Sequence, residues 1–574
     1  MRNGGQILVE SLVALGAKMA FGVPGESYLA VLDAMHDTAG RFDYILCRNE
    51  GGASFMAAAY GKLTGQPGIC MVTRGPGASN AMIGVHTAMQ DSTPMLLFVG
   101  QIAQSDRERE SFQEVDYRAV FGSMVKYVVE ITDPARIPEH LARAWKTAVS
   151  GRMGPVVVSL PEDMLAALSD AAPLSQPLPP LSPAHPDPAA MRQVQSLLAN
   201  AQRPLVITGG TGWTAQGKAA LQAFAVASDI PVLTAFRCQD AIDNQAPVFA
   251  GEAGVGMWPH VADLIKSADV ILALNLRMDE MTTGAYTLLS VPRPTQTLIH
   301  VHPASDELGK IYIPTLPVQS DPNAFATALH PVVGTWSAWR AHARTGYEAA
   351  FVAPAQPSPV DMAAVMAYLG ANLPHDAIIT NGAGNFAAWP SRHLCFGPAM
   401  RLLAPQSGAM GYGVPAAIAA SLAEPDRLAL CFAGDGDFQM TCQELATAAQ
   451  HGAAPLILIL NNGIYGTIRA HQERQFPARV FGTTMVNPDF TALAQAYGFH
   501  AEKVDATEAF AAAFTRALAA TKAGTGAVLT LAIAAEAIAP RQRISTLRQA
   551  ALAAQTKTST KNHRASFPAR WCNI

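Results

Sequence analysis

Charge is scarce in this chain. Asp, Glu, Lys and Arg make up 15% of its 574 residues, and the formal net charge is −4. That leaves no bulk positive field to gather nucleic acid, so no nucleic-acid partner is expected. Uninterrupted apolar runs are short, none reaching the roughly 18 residues of a membrane helix, so no membrane partner is expected. Glu10 and Lys18 break the apolar opening and no cleavage pattern follows, which argues against a signal peptide. Cysteine is sparse as well. The seven cysteines are odd in number and none form a CxxC pair, which excludes the usual structural zinc spacing. They read as reduced, buried thiols of a cytoplasmic protein.

What is present is core-forming material, with half of the residues apolar. The length suits roughly three to four domains of about 150 residues each. Two proline-rich stretches, Pro173 to Pro188 and Val352 to Pro359, cannot sustain a helix or a central strand and read as linkers. They separate segments 1–172, 189–335 and 360–540. In each, short Val-, Ile- and Leu-rich runs alternate with Ala-rich helical stretches; Gly68–Val72, Pro155–Leu160, Pro204–Thr208, Val270–Leu274 and Pro455–Leu460 are examples. Runs this apolar on both faces suit parallel strands covered by helices on either side. The fold class expected is α/β, with three doubly wound parallel-sheet domains. The tail 541–574 carries seven Arg or Lys and no acid. It reads as a solvated end, with a lid over the active site as the alternative.

The most specific motif lies in the third segment. A buried strand, Arg427 to Ala433, runs straight into Gly434-Asp435-Gly436-Asp437. A helix, Thr441 to His451, and a second strand follow, ending at Asn461-Asn462. A strand–helix–strand unit of this kind brings two strand ends to one edge of a sheet, where open α/β sheets bind ligands. Asp435 and Asn462 then offer hard oxygens suited to magnesium or calcium. The glycines allow close approach of a phosphate, and a helix start supplies free N–H groups. Gly and Asp also make ordinary turns; the added Asn pair between two buried strands is what sets this site apart.

The pattern resembles the thiamine diphosphate signature of the acetolactate synthase and pyruvate decarboxylase superfamily, over roughly residues 4 to 540. The resemblance implies that Asp435, Asn462 and the carbonyl of Ile464 bind magnesium. It implies that Gly434, Gly436, Asp437, Asn385 and Phe386 border the diphosphate. In Ser407-Gly-Ala-Met-Gly-Tyr412, Gly408 and Met410 fall beside the cofactor, Met410 matching the apolar residue that props it into a bent shape; the plain alternative is a core methionine.

In the first segment, Arg48-Asn49-Glu50-Gly51-Gly52-Ala53 opens an Ala-rich helix. A carboxylate there ordinarily just answers the helix dipole. By resemblance, Glu50 instead shares a proton with the aminopyrimidine of the cofactor and so prepares a base beside its reactive carbon. Glyoxylate carboligase lacks this acid, so Glu50 argues against that branch. Pro76 and Asn80, in Thr73–Asn80, match the loop lining the same ring. Because Glu50 and the GDG motif lie in different segments, the resemblance implies a homodimer or homotetramer with sites between subunits.

The substrate side is less uniform. Gln113 and Lys126 match residues that lie near the substrate in acetolactate synthase. The preceding loop, Ser105 to Glu110, is charged where that enzyme's is apolar, and His471 falls where it carries tryptophan. Gly209-Gly210, Arg277-Met278-Asp279 and Ile299 to His302 resemble its flavin-binding region, but Gly251 to Gly256 lacks the expected histidine, leaving FAD open. The expected activity is a thiamine diphosphate- and magnesium-dependent 2-oxo acid decarboxylase or carboligase. The alternatives are a benzaldehyde lyase-like enzyme acting on aldehydes and a non-catalytic cofactor binder.

Overall fold

A computed structural model describes residues 1–559. Three sheets organise the chain, each of six parallel strands. The first holds β1 (Met19–Gly22), β2 (Asp43–Leu46), β3 (Gly68–Val72), β4 (Met95–Gln101), β5 (Tyr127–Glu130) and β6 (Pro155–Pro161), in the order β2-β1-β3-β4-β6-β5. The second holds β7 (Pro204–Thr208), β8 (Val232–Ala235), β9 (Phe249–Ala253), β10 (Val270–Leu274), β11 (Thr297–His302) and β12 (Leu316–Gln319), in the order β9-β8-β7-β10-β11-β12. The third holds β13 (Ile378–Asn381), β14 (Arg401–Leu403), β15 (Ala429–Gly434), β16 (Leu456–Asn461), β17 (His500–Val504) and β18 (Ala527–Ala532), in the order β14-β13-β15-β16-β18-β17.

The central strands are buried along their whole length, as strands covered on both faces must be. In each sheet the chain leaves one strand in both directions, and a crevice opens at the carboxyl ends where the order reverses. The pairing Gly434↔Leu460 sets the ends of β15 and β16 side by side, so the loops carrying Asp435 and Asn462 emerge together.

Pro173 to Asp187 contains no helix or strand, and a helix starts at Pro188, where the missing N–H of proline costs nothing. Helix Ser337–Phe351, beyond the segment end expected at 335, packs on β9 and joins the middle unit. First and third domains share one apolar cluster. Helix Glu50–Thr64 lies against helix Gly413–Ala423, and the rings of Phe55 and Tyr412 meet edge to face at 5.5 Å. Such a pair adds about 0.5–1.5 kcal/mol beyond its buried area. Lys62 seals the junction, its ammonium on Asp91 at 2.9 Å and on the Ala404 carbonyl at 2.8 Å. Among the described residues no helix is long and apolar enough to cross a membrane.

Candidate active site

A cavity of about 270 Å³ opens at the carboxyl ends of β13, β15, β16 and β18. Asn385, Phe386, Gly408, Met410, Gly434, Asp435, Gly436, Asp437, Asn462 and Ile464 all line it. The structure therefore brings together the third-domain residues expected at the metal and cofactor, whereas His471 is not among the residues lining the cavity.

Asp435 is the charged centre. Its Oδ1 accepts Gly436 N at 2.9 Å, and its Oδ2 accepts Gly463 N at 2.7 Å and Asn487 Nδ2 at 2.8 Å. Burial raises its pKa, and these donors pull the other way. A divalent cation beside it would favour the ionised form further. Asn462 turns its Oδ1 onto Ile464 N at 3.1 Å. The backbone at Ile464 is braced from outside: Tyr465 N donates to Thr483 O at 2.9 Å and Met485 N to Gly463 O at 2.8 Å. This bracing holds the Ile464 carbonyl in a set direction, as a ligand to a hard cation requires.

Asp437 plays a different part from Asp435. Its Oδ1 accepts Ala383 N at 3.0 Å and Gly411 N at 2.8 Å, tying the loop after β13 to the loop that carries Met410. Close packing demands glycine beside it: a Cβ at Gly382 would sit 1.9 Å from Asp437 Oδ1. Burial pushes Asp437 up to about 7, against those backbone bonds. Gly408 has φ +67° and open space where a Cβ would be, so the chain turns there with no side chain toward the cavity. Met410 is only partly buried, unlike a core methionine.

Two buried polar atoms at this cavity lack partners, Asp437 Oδ2 and Asn385 Nδ2. Asn385 is held through its other end, where Thr467 Oγ1 donates to its Oδ1 at 2.9 Å. Unpaired buried groups are costly and mark a place where something else completes them. The donor set of one carboxylate, one amide oxygen and one carbonyl suits a hard cation and a diphosphate rather than zinc. Among the described residues no three His, Cys, Asp or Glu gather as a metal group.

Asn487 was not legible in advance. Its Nδ2 bridges Asp435 Oδ2 and Asn461 Oδ1, at 2.8 and 2.9 Å, while its Oδ1 accepts Gln439 Nε2 at 3.0 Å. Asn487-Pro488 reads from sequence only as a turn. Removal of a group that orients a metal ligand typically costs 10–100-fold in affinity. Asn487→Ala is thus expected to weaken magnesium-dependent cofactor binding by about 10–100-fold, read by titration in the presence of the metal.

The first-domain residues form a second group. Glu50 is the first residue of helix Glu50–Thr64, with Asn49 capping it through Gly51 N at 2.8 Å. Asn80 Nδ2 donates to Glu50 Oε2 at 2.8 Å. Gln113 docks on the same place, its carbonyl accepting Gly75 N at 3.1 Å next to Pro76. Lys126 lies apart from them. Its ammonium donates to the carbonyls of Thr147 and Ser150 at the end of helix Ile137–Val149, at 2.5 and 2.6 Å. Burial, then Arg152, lowers its pKa to about 8. None of these four residues, nor any other first-domain residue, lines the 270 Å³ cavity.

The chain matches the thiamine pyrophosphate enzyme N-terminal TPP binding domain over residues 2–120, the central domain over 191–329 and the C-terminal TPP binding domain over 382–530. It belongs to the thiamine pyrophosphate enzyme family, in its acetolactate synthase branch. It is 30% identical to the acetolactate synthase isozyme 2 large subunit of Escherichia coli (strain K12), over 88% of this chain and 91% of that protein. The acetolactate synthase large subunit of Lactococcus lactis subsp. lactis (strain IL1403) is 31% identical, over 88% of each chain. The mitochondrial catalytic subunit from Saccharomyces cerevisiae (strain ATCC 204508 / S288c) is 30% identical, over 88% and 77%. By this membership the protein is a thiamine diphosphate-dependent enzyme of the carboligase and decarboxylase type.

The C-terminal segment covers one wall of the 270 Å³ cavity. Ile533, Ala537 and Ile538 line it, and helix Ile544–Ser559 packs on helix Gly466–Gln475. The anchor is Glu473, fully buried, which accepts Arg469 Nε at 2.9 Å and Arg548 through both Nε at 2.9 Å and Nη2 at 2.7 Å. The residues after 559, the remainder of the basic tail, lie outside the described residues. Arg548 first among other groups lowers Glu473 to about 2. A carboxylate depressed in the folded state stabilises it above the unfolded pKa near 4.3 and loses that contribution as pH falls toward the folded value. Helix Ile544–Ser559 is therefore expected to loosen between about pH 4.5 and 2, seen as faster amide exchange, and Arg548→Ala is expected to produce the same loosening at neutral pH.

Proposed function

We propose that this enzyme is a thiamine diphosphate- and magnesium-dependent 2-oxo acid decarboxylase and carboligase of acetolactate synthase type. The observation that carries the reading is the convergence of Asp435, Asn462 and the Ile464 carbonyl at one sheet edge, beside unpaired Asn385 Nδ2 and Asp437 Oδ2. Asp435, Asn462 and Ile464 would hold the magnesium, with Asn385 Nδ2 and the glycine loops on the diphosphate. Thiamine diphosphate, when bound, would supply carbanion chemistry toward the carbonyl of a 2-oxo acid. Glu50 would exchange a proton with the pyrimidine nitrogen of the bound cofactor. Asn80 occupies Oε2, which leaves Oε1 free for that exchange. Met410 and Phe386 exclude water with apolar surface, and the Gln113 loop presents an amide to the substrate carboxylate. For Lys126 the role proposed is indirect, since its charge is spent on two carbonyls that end a helix.

A screen of 2-oxo acids tests the reading, with thiamine diphosphate and magnesium added, carbon dioxide followed and products weighed by mass spectrometry. Pyruvate is expected to release carbon dioxide and give a joined product. Silence with every 2-oxo acid together with cleavage of benzoin would replace this reading by an aldehyde lyase.

The same reading includes a homodimer at least. The cavity is lined only by residues between 383 and 538, so the chain's own Glu50 loop supplies no wall to it. Exposed apolar side chains flank both halves: Ile83 and Phe112 near Glu50, Ile468 and Phe481 near the cavity. Such patches fit a second copy, each copy giving its first domain to the other's cavity. Mixing Glu50→Gln chains with Asp435→Ala chains is then expected to restore roughly a quarter of wild-type turnover, since half of the dimers are mixed and half of their sites intact. Mixtures as inactive as their components would mean that one chain builds the whole site.

The flavin-region resemblance falls on a second cavity, of about 300 Å³, at the carboxyl ends of the middle sheet. Gly210, Arg277, Asp279 and His302 line it, consistent with the flavin-region resemblance. A flavin absorption band that persists in the purified protein would assign FAD there, and a colourless protein would remove it. The six described cysteines are free, four of them buried, which fits a cytoplasmic location.

A further inference from the structure

A third cavity, of about 380 Å³, lies in the first domain, away from both cofactor regions. Its walls come from the loop after β4, from β5 and from helix Ile137–Val149, and include Arg107, Arg118, Glu130 and His140. Its acids are already engaged. Glu130 Oε2 accepts Ser159 Oγ at 3.0 Å, Asp116 caps the backbone of Arg118 and Ala119, and Asp133 caps Ala135. Two nitrogens make no hydrogen bond. Arg107 Nη1 is buried and stands 3.3 Å from Glu130 Oε2, but out of line for a hydrogen bond. His140 is 9% exposed, and its Nδ1 is buried without a partner.

We propose that this cavity binds a small monocarboxylate, held between Arg107 Nη1 and His140 Nδ1. An unsatisfied guanidinium nitrogen calls for an acceptor, and a carboxylate on a guanidinium is the strong form of such a bond; His140 adds a second one in the tautomer that carries its proton on Nδ1. Arg107, Arg118 and Arg136 are balanced by Asp116, Glu130 and Asp133 around the cavity, so a singly charged anion suits it better than phosphate. Val128, Tyr117 and Tyr127 supply apolar surface for a short aliphatic chain.

The site reaches the catalytic loop through Arg107. Its Nε lies 3.5 Å from Glu114 Oε1, and Glu114 in turn accepts Glu108 N at 2.8 Å and Ser111 N at 3.2 Å. Gln101 Nε2 holds the Val115 carbonyl at 2.9 Å, and Gln113 lies between these clamps. A ligand that orders Arg107 thereby orders the loop that presents Gln113.

Calorimetric titration of the intact protein with propionate, which has no reactive carbonyl, tests this. Saturable binding is expected, about tenfold weaker in both Arg107→Gln and His140→Asn, as loss of one bond to a charged group implies. Arg118→Ala, at an exposed position and harmless to packing, is expected to weaken it about threefold and covers the case in which a buried variant fails to fold. Amide exchange over 108–116 is expected to slow with propionate present. No saturable binding, phosphate binding as tightly as propionate, or undiminished affinity in all three variants would overturn the site. Unchanged exchange over 108–116 would overturn its link to the loop.

Discussion

Glu50→Gln is expected to lower turnover of 2-oxo acids by about 10²–10⁴-fold, the range a positioned proton-transfer group contributes. The substitution keeps the shape of the side chain, and the amide oxygen can still accept the bond that Asn80 Nδ2 now makes to Oε2. What it removes is a group able to share a proton. Stability is expected to change by no more than the roughly 0.3–1 kcal/mol of a charge at a helix start, because Asn49 and not Glu50 caps the helix. Thiamine diphosphate affinity is expected to change little. Carbon dioxide release, cofactor titration and thermal melting of the same preparation check all three. Full turnover in the variant would overturn the proton-sharing role given to Glu50.

Asp435→Ala is expected to abolish magnesium-dependent cofactor binding, by more than about 100-fold, since the change removes the carboxylate of the proposed metal site, where an orienting residue alone is worth 10–100-fold. Asp435 also accepts from Gly436 N, Gly463 N and Asn487 Nδ2, so alanine strands three donors in a buried place. That adds a loss of stability of about 1–3 kcal/mol for the most buried of them. The two effects separate by experiment. Raising magnesium is expected to rescue Asn487→Ala, whose metal ligands remain, and to leave Asp435→Ala without cofactor. Rescue of both would show that the metal is held elsewhere.

Much of the site was legible from local pattern. Gly434-Asp435-Gly436 and Asn461-Asn462 end two apolar runs, and strand–helix–strand handedness leaves such ends few ways to meet. Observed strands differ from the expected ones by a residue or two, as at Ala429–Gly434, because strand ends fray into turns. The helix expected over Thr441 to His451 is instead a short 3₁₀ turn at Cys442–Glu444 leading into Leu445–His451. Glu444 sits at the break. Its carboxylate accepts Arg48 N at 3.2 Å and supports the Glu50 loop from the third domain of the same chain.

Asn487 and Arg548 were beyond such reading. Asn487 lies 52 positions from the carboxylate it orients, and Arg548 lies 75 from Glu473. Polar contacts at that separation leave no periodicity in the chain. Lys126 shows the same limit from the other side. Its neighbours in sequence match a substrate-side stretch, yet its ammonium turns to Thr147 and Ser150 because a helix end there offers unpaired carbonyls.

The sequence alone determined three apolar-stranded α/β units, a glycine-flanked acid and an asparagine pair at neighbouring strand ends, and an acid at the start of an early helix. These follow from short-range rules, since apolar runs must be covered and a glycine-flanked acid after a buried strand must emerge at a sheet edge. Only the tertiary structure decided which residues hold those groups in place: Asn487 on Asp435, Asp437 across two loops, Glu473 beneath the C-terminal helix and Arg107 between two acids. Packing chooses such partners among many polar side chains of equal local standing, because a buried hydrogen bond is worth making only where the fold has already brought both ends together.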